Sequence, residues 1–140
     1  MLSTLSKEMR KSVPTETCIV VDANQGWTAQ DWQTNREHLL RWGSVWVEEP
    51  FPDWWNNEHL HDMRLPLVMD ESLGLPNFAE IASLPAVEAL TLKPSFLGGF
   101  HRSLRLLTAI GRNDQTIFLS SALGTQLEKA YLAHCGAALD

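Results

Sequence analysis

An α/β fold built on parallel strands is what this 140-residue sequence predicts. Three observations predict it. The runs Cys18–Asp22, Val45–Glu48, Leu65–Asp70 and Val87–Lys93 are almost continuously apolar rather than alternating, as strands covered on both faces are. Stretches with helix signals separate them. The charged residues that end them recur at 48 − 22 = 26, 70 − 48 = 22 and 93 − 70 = 23 residues, the length of one strand-loop-helix-loop unit.

The elements follow in order. Residues 1 to about 15 show no strand period and read as a short helix or a loose arm, which leaves 16–140 as one domain. Strand one is predicted over Thr17–Asp22. Thr28-Ala-Gln-Asp31 has the form of a capping box with Asp in place of Glu. It opens a helix with apolar positions Ala29, Trp32, Leu39, Leu40 and Trp42, ended by Gly43. Strand two spans Ser44–Glu48 and Pro50 stops it; a short helix is expected over Asn56–Met63. Strand three spans Leu67–Asp70, and Pro76 suits the first turn of a helix to about Ser83. Strand four spans Val87–Lys93, closed by Pro94. Gly98-Gly99 precede a helix with Phe100, Leu104, Leu107 and Ile110 on one face. Strand five spans Gln115–Ser120, and Gly124 and Thr125 open a last helix that ends near Cys135.

Five units fill the chain, whereas a closed (β/α)8 barrel needs eight and typically about 250 residues. The expectation is a partial (β/α)8 TIM-type barrel of about five parallel βα units, or an open sheet of the same strands. A part-barrel has two unpaired parallel edges. A homo-oligomer, or the N-terminal arm laid over one edge, is expected to cover them.

Composition narrows the function. The chain is 44% hydrophobic and 20% charged with a net charge of −6, and it has no basic stripe, so no nucleic-acid partner is expected. No apolar run approaches a membrane span, and no signal-peptide segment opens the chain, so no membrane partner and a cytoplasmic location are expected. Cys18 and Cys135 are too few for a disulfide framework and read as apolar fillers. The six Trp, at 27, 32, 42, 46, 54 and 55, read as core, with an oligomer interface as the second choice.

Charged residues at the ends of buried strands need partners. Asp22, Glu48 and Asp70 offer three hard oxygen ligands for Mg²⁺ or Mn²⁺. A partly buried lysine beside such a cation is expected to give up its proton more readily, which would let Lys93 act as a base. The pairing suits removal of a proton alpha to a carboxylate, the cation stabilising the enediolate. Against this stands the reading of the three acids as helix-capping or turn residues, and of Lys93 as an edge lysine reaching for water. Ser120 and Ser121 equally suit capping of the next helix. His59-Leu-His61 reads as solvated surface.

The words Val21-Asp-Ala-Asn-Gln-Gly-Trp-Thr28, Val47-Glu-Glu-Pro50, Asp70-Glu-Ser-Leu73, Leu92-Lys-Pro-Ser95 and Ser120-Ser-Ala-Leu-Gly124 resemble those of the enolase superfamily, and within it most of all o-succinylbenzoate synthase. The resemblance covers about residues 17 to 127. It implies a barrel fold and a metal-dependent lyase, with Asp22, Glu48 and Asp70 binding Mg²⁺ (or Mn²⁺). It also implies that Lys93 lies against the substrate enolate, and that Ser120 and Ser121 lie near the substrate carboxylate. Asn24, Glu49 and Glu71 become supporting neighbours. The sequence departs from that pattern in lacking a capping domain, a Lys-x-Lys strand and the last strand. Three expectations follow. The first is enediolate chemistry on a small carboxylate. The second is metal-activated water hydrolysing an ester or phosphoester at an opened site. The third is a truncated, non-catalytic interaction module.

Overall fold

A computed structural model describes residues 11–14, 16–56, 64–111 and 114–137. The expected fold class holds: the chain is an α/β fold of parallel strands and helices, that of a partial (β/α)8 barrel, with five strands ordered in the sheet as in the chain. It divides into two compact units, residues 1–68 and 69–140.

In the first unit β1 (Ile19–Asp22) pairs in parallel with β2 (Val45–Glu48), residue for residue from Ile19↔Val45 to Asp22↔Glu48. β2 pairs in parallel with the start of β3 (Leu67–Met69) through Val47↔Leu67 and Glu48↔Val68. β-Branched residues dominate the first two strands, where their stiff side chains suit a pleated surface. Helix α1 (Ala29–Leu39) crosses between them, and its capping box is complete. The Asp31 amide donates to Thr28 Oγ1 (3.1 Å), while Thr28 N donates to Asp31 Oδ2 (2.9 Å). The helix runs on as a 3₁₀ turn, Leu40–Trp42, and stops at Gly43, whose φ of 90° lies where side chains are disfavoured. Trp32, fully buried, packs against Trp27 and Phe51 with ring centroids 6.3 and 6.4 Å apart. Of the tryptophans, Trp32 and Trp54 are core, and the other four are half-buried.

In the second unit α2 (Phe78–Ala82) precedes β4 (Val87–Leu92), which pairs in parallel with β5 (Thr116–Leu119) from Ala89↔Thr116 to Leu92↔Leu119. Gln115 closes the α2–β4 corner, its side-chain amide donating to the carbonyls of Ala82 and Val87, both at 2.9 Å. Helix α5 (Gln126–Ala137) follows β5 and buries Leu132 and Cys135.

Several expectations are corrected. Pro94 does not merely end β4. It begins a one-turn helix, α3 (Pro94–Leu97), because a first-turn residue needs no amide proton. Gly98, at φ 87°, ends that turn. Helix α4 (Phe100–Ile110) buries Ser103, Leu106 and Ile110; of the expected face Ile110 is buried, while Phe100, Leu104 and Leu107 are half-buried, so the inward stripe is rotated from it. Its apolar residues cover more than one face, and packing selects among them. Cys18 is exposed rather than a filler, since β1 begins one residue later, while Cys135 is buried. The strands stop short of Asp70, Lys93 and Ser120. The expected arm before residue 11, the helix beyond Asn56 and the His59–His61 pair lie outside the described residues. No helix among the described residues is long and apolar enough to cross a membrane.

Candidate functional site

The charged residues that gave the sequence its period, and Ser120, fall at the C-terminal ends of strands. Asp22 and Glu48 are the last residues of β1 and β2; Asp70, Lys93 and Ser120 immediately follow β3, β4 and β5.

In the first unit Asp22 and Glu48 are register partners on neighbouring strands. Asp22 is exposed and Glu48 half-buried. The chain after Asp22 turns back on itself. Asn24 donates to both Asp22 oxygens, through its backbone N (2.8 Å) and its Nδ2 (2.9 Å). Asn24 and Gln25 take left-handed conformations (φ 47° and 56°), as does Glu49 (φ 41°). Non-glycine residues adopt these rarely, and such positions concentrate at sites whose geometry the surroundings enforce. The enforcing bonds are visible: Ala23 N, Gln25 N and Trp27 N donate to the carbonyls of Glu48, Glu49 and Pro50 at 3.0, 2.7 and 3.2 Å. Gly26 completes the turn, because a Cβ there would stand 3.0 Å from the Ala23 carbonyl oxygen.

Glu49 is fully buried, and its Oε2 accepts from Trp54 Nε1 (3.0 Å) and Gln25 Nε2 (3.1 Å). It ties the turn after β1 to the segment after β2. Gln25 and Trp54 were not singled out from the sequence. Gln25 lies inside the Asp-Ala-Asn-Gln word, and Trp54 is hidden among six tryptophans.

In the second unit the Lys93 ammonium pairs with Asp70 Oδ2 and stands 3.8 Å from Glu71 Oε1. The Asp70 side chain is only 4% exposed and that of Lys93 22%. A lysine reaching for water would not sit this way. A buried carboxylate needs such a partner, since desolvation of an uncompensated charge costs several kcal/mol. Ser120 lies beside the same strand end, its amide donating to Leu92 O at 2.9 Å, and Ser120 and Ser121 are both half-buried. They do not cap α5. Thr125 does, accepting from Glu128 N at 3.4 Å. Glu128 in turn accepts from Ser95 Oγ at 2.6 Å, linking the segments after β4 and β5. Nothing in the sequence pattern marks Glu128 for this.

Asp22 and Glu48 in the first unit and Asp70 in the second are carboxylates, the donor type that a hard divalent cation takes. Among the described residues no three His, Cys, Asp or Glu side chains are gathered closely enough to hold a metal ion.

Acids and a lysine at the strand ends of parallel βα units follow the pattern of a (β/α) barrel fold, whose sites lie at the C-terminal ends of strands. The chain belongs to the enolase C-terminal domain-like family, whose model matches residues 4–140. It is 28% identical over 107 residues to the L-Ala-D/L-Glu epimerase of Clostridium acetobutylicum, covering 71% of this chain and 30% of that protein. Its fold is similar to MenC from Desulfotalea psychrophila (TM-score 0.78, 23% identity, 96% of this chain and 42% of that one). It is also similar to a dipeptide epimerase from Cytophaga hutchinsonii complexed with Mg and D-Ala-L-Val (TM-score 0.75, 22% identity, 91% and 36%). The chain thus spans less than half the length of these relatives.

Proposed function

We propose that this chain carries the metal half of a site of o-succinylbenzoate synthase ancestry, acting on a small carboxylate by stabilising an enediolate. In this reading Asp22, Glu48 and Asp70 hold Mg²⁺ or Mn²⁺, which supplies positive charge opposite the developing oxyanion. Asn24 orients Asp22, and Glu49 holds the turn that presents it. Lys93 faces the substrate's reacting carbon, with Asp70 and Glu71 fixing its ammonium, and Ser120 and Ser121 bind the substrate carboxylate. The observation that carries the reading is the buried Asp70–Lys93 pair at the ends of β3 and β4, flanked by Glu71. Family membership and donor chemistry support it further.

A second reading keeps the site and changes the outcome to epimerisation of a dipeptide-like substrate. The curated relative named as an L-Ala-D/L-Glu epimerase favours it. Removal of the α proton is common to both, and the fate of the resulting anion separates them.

Calorimetric titration with MnCl₂ tests the shared part. Saturable binding is expected, and Asp70→Asn should weaken it at least ~10-fold, the scale of damage to metal-site partners. Unchanged metal affinity in that variant would sink the proposal. Solvent deuterium incorporation at the α carbon of candidate substrates, followed by NMR, then separates dehydration, epimerisation and ester hydrolysis. Lys93→Ala should abolish the first two and spare the third.

A further inference from the structure

The second unit holds a cleft of about 680 Å³ bounded by the turn after β3 and by α2, α3 and α4. Its walls are apolar, with Leu75, Phe78, Phe96 and Leu106, and its rim carries Arg102 and Arg105 from successive turns of α4. Phe96 is 60% exposed, a large unburied aromatic surface beside this hollow. Its ring packs over Gly74, where an added Cβ would meet it at 3.5 Å, an ordinary contact distance. The Arg102 stem lies across Gly98, with Cδ and a terminal guanidinium nitrogen each 3.3 Å from where a Cβ would be. This fixes the direction of a side chain that is otherwise free to wander.

Neither guanidinium is paired with a carboxylate among the described residues, although the chain carries a net charge of −6. Exposed arginines usually find acids in so acidic a protein, and two that do not, i and i+3 on one helix face, make a local positive rim. A guanidinium presents a planar fork of donors matched to a carboxylate, while an apolar hollow takes up a flat hydrocarbon body.

We propose that this cleft is a binding site for a small carboxylate with an aromatic body, the ring lying against Phe78 and Phe96 and the carboxylate held by Arg102 and Arg105. The turn that follows Asp70 and the helix that follows Lys93 both line it. Its occupant therefore sits against the two segments that carry those residues.

The test uses 2-naphthoate as probe and the ¹⁵N-labelled chain, read by amide NMR. Saturable shifts are expected at Leu75, Phe96 and Leu106. Arg102→Ala and Arg105→Ala, each with an unchanged circular dichroism spectrum, should weaken binding about 10-fold, in line with a lost charge-assisted hydrogen bond. The neutral isostere 2-naphthamide should bind at least about 10-fold more weakly. Inorganic phosphate should not saturate at these amides. The proposal is overturned by an amide that binds as well as the acid, by phosphate binding as well as naphthoate, or by arginine variants that bind normally. Absence of saturable shifts at these three residues overturns it as well.

Discussion

At the scale of single residues, side chains are organised by contacts only a few positions away in sequence. Thr28 and Asp31 are the clearest pair. The Thr28 hydroxyl donates to the Asp31 carboxylate at 2.6 Å, and the Thr28 amide also donates to it. Those two bonds hold the Asp31 carboxyl below its ordinary value of 3.8, the hydroxyl contributing most. A carboxylate with a depressed folded pKa stabilises the native state above its unfolded value and loses that contribution as pH falls through the folded one. Stability should therefore decline as pH drops below about 4 through the lowered Asp31 value. Thr28→Val should return the Asp31 titration, followed by NMR, toward its ordinary value. It should also cost roughly 1 kcal/mol in urea unfolding through loss of the cap. An unmoved Asp31 titration would show that the hydroxyl is not the cause. Glu49 belongs to the same scale. A fully buried carboxylate is tolerated because Trp54 and Gln25 supply donors, and its left-handed backbone is held by hydrogen bonds on either side.

The elements show how strand ends are converted into a presenting surface. In the first unit three backbone bonds stitch the turn after β1 to the segment after β2. In the second, one side chain does comparable work. Glu128, from the first turn of α5, reaches Ser95 on α3 through the space that a side chain at residue 124 would fill. Gly124→Ala must displace Glu128 and break that bond. The bond is exposed, so its loss should destabilise the protein by about 0.5–1.5 kcal/mol, the net worth of an ordinary hydrogen bond. Because both substitutions act on one interaction, Gly124→Ala with Glu128→Ala should cost clearly less than the two single changes added together. Additive costs in urea unfolding would mean that the two residues are not coupled. Strand lengths follow a related logic. β3, β4 and β5 end one residue before Asp70, Lys93 and Ser120, and the first two of these pair with each other beyond the ladder.

For the whole molecule, the question is what completes a five-stranded piece of a barrel. Among the described residues β1 pairs only with β2, and β5 only with β4, so each has a side without a neighbour. Unpaired parallel edges expose backbone donors and acceptors and invite association. We propose that the 140-residue chain meets this by self-association. Sedimentation equilibrium should show a dimer or larger species that dissociates on dilution. A single monomeric species from micromolar to millimolar concentration would refute it. Val20, on β1, is 40% exposed, and a charge placed there by Val20→Lys should weaken association if that strand lies in the contact.

Much of this was legible in the sequence for a physical reason. Strand-helix alternation, capping residues and turn glycines are local signals, and local energetics suffices to place them. The period of the charged strand ends, 26, 22 and 23 residues, predicted the parallel α/β fold and placed Asp22, Glu48, Asp70 and Lys93 at strand ends. Tertiary structure alone decided which of those residues touch. It paired Lys93 with Asp70, gave Glu49 to Trp54 and Gln25, turned α4 inward on Ser103 and Leu106, and set Arg102 and Arg105 beside an apolar cleft. Such choices depend on residues far apart in the chain competing for the same space and the same hydrogen bonds, and no single stretch of sequence carries that competition.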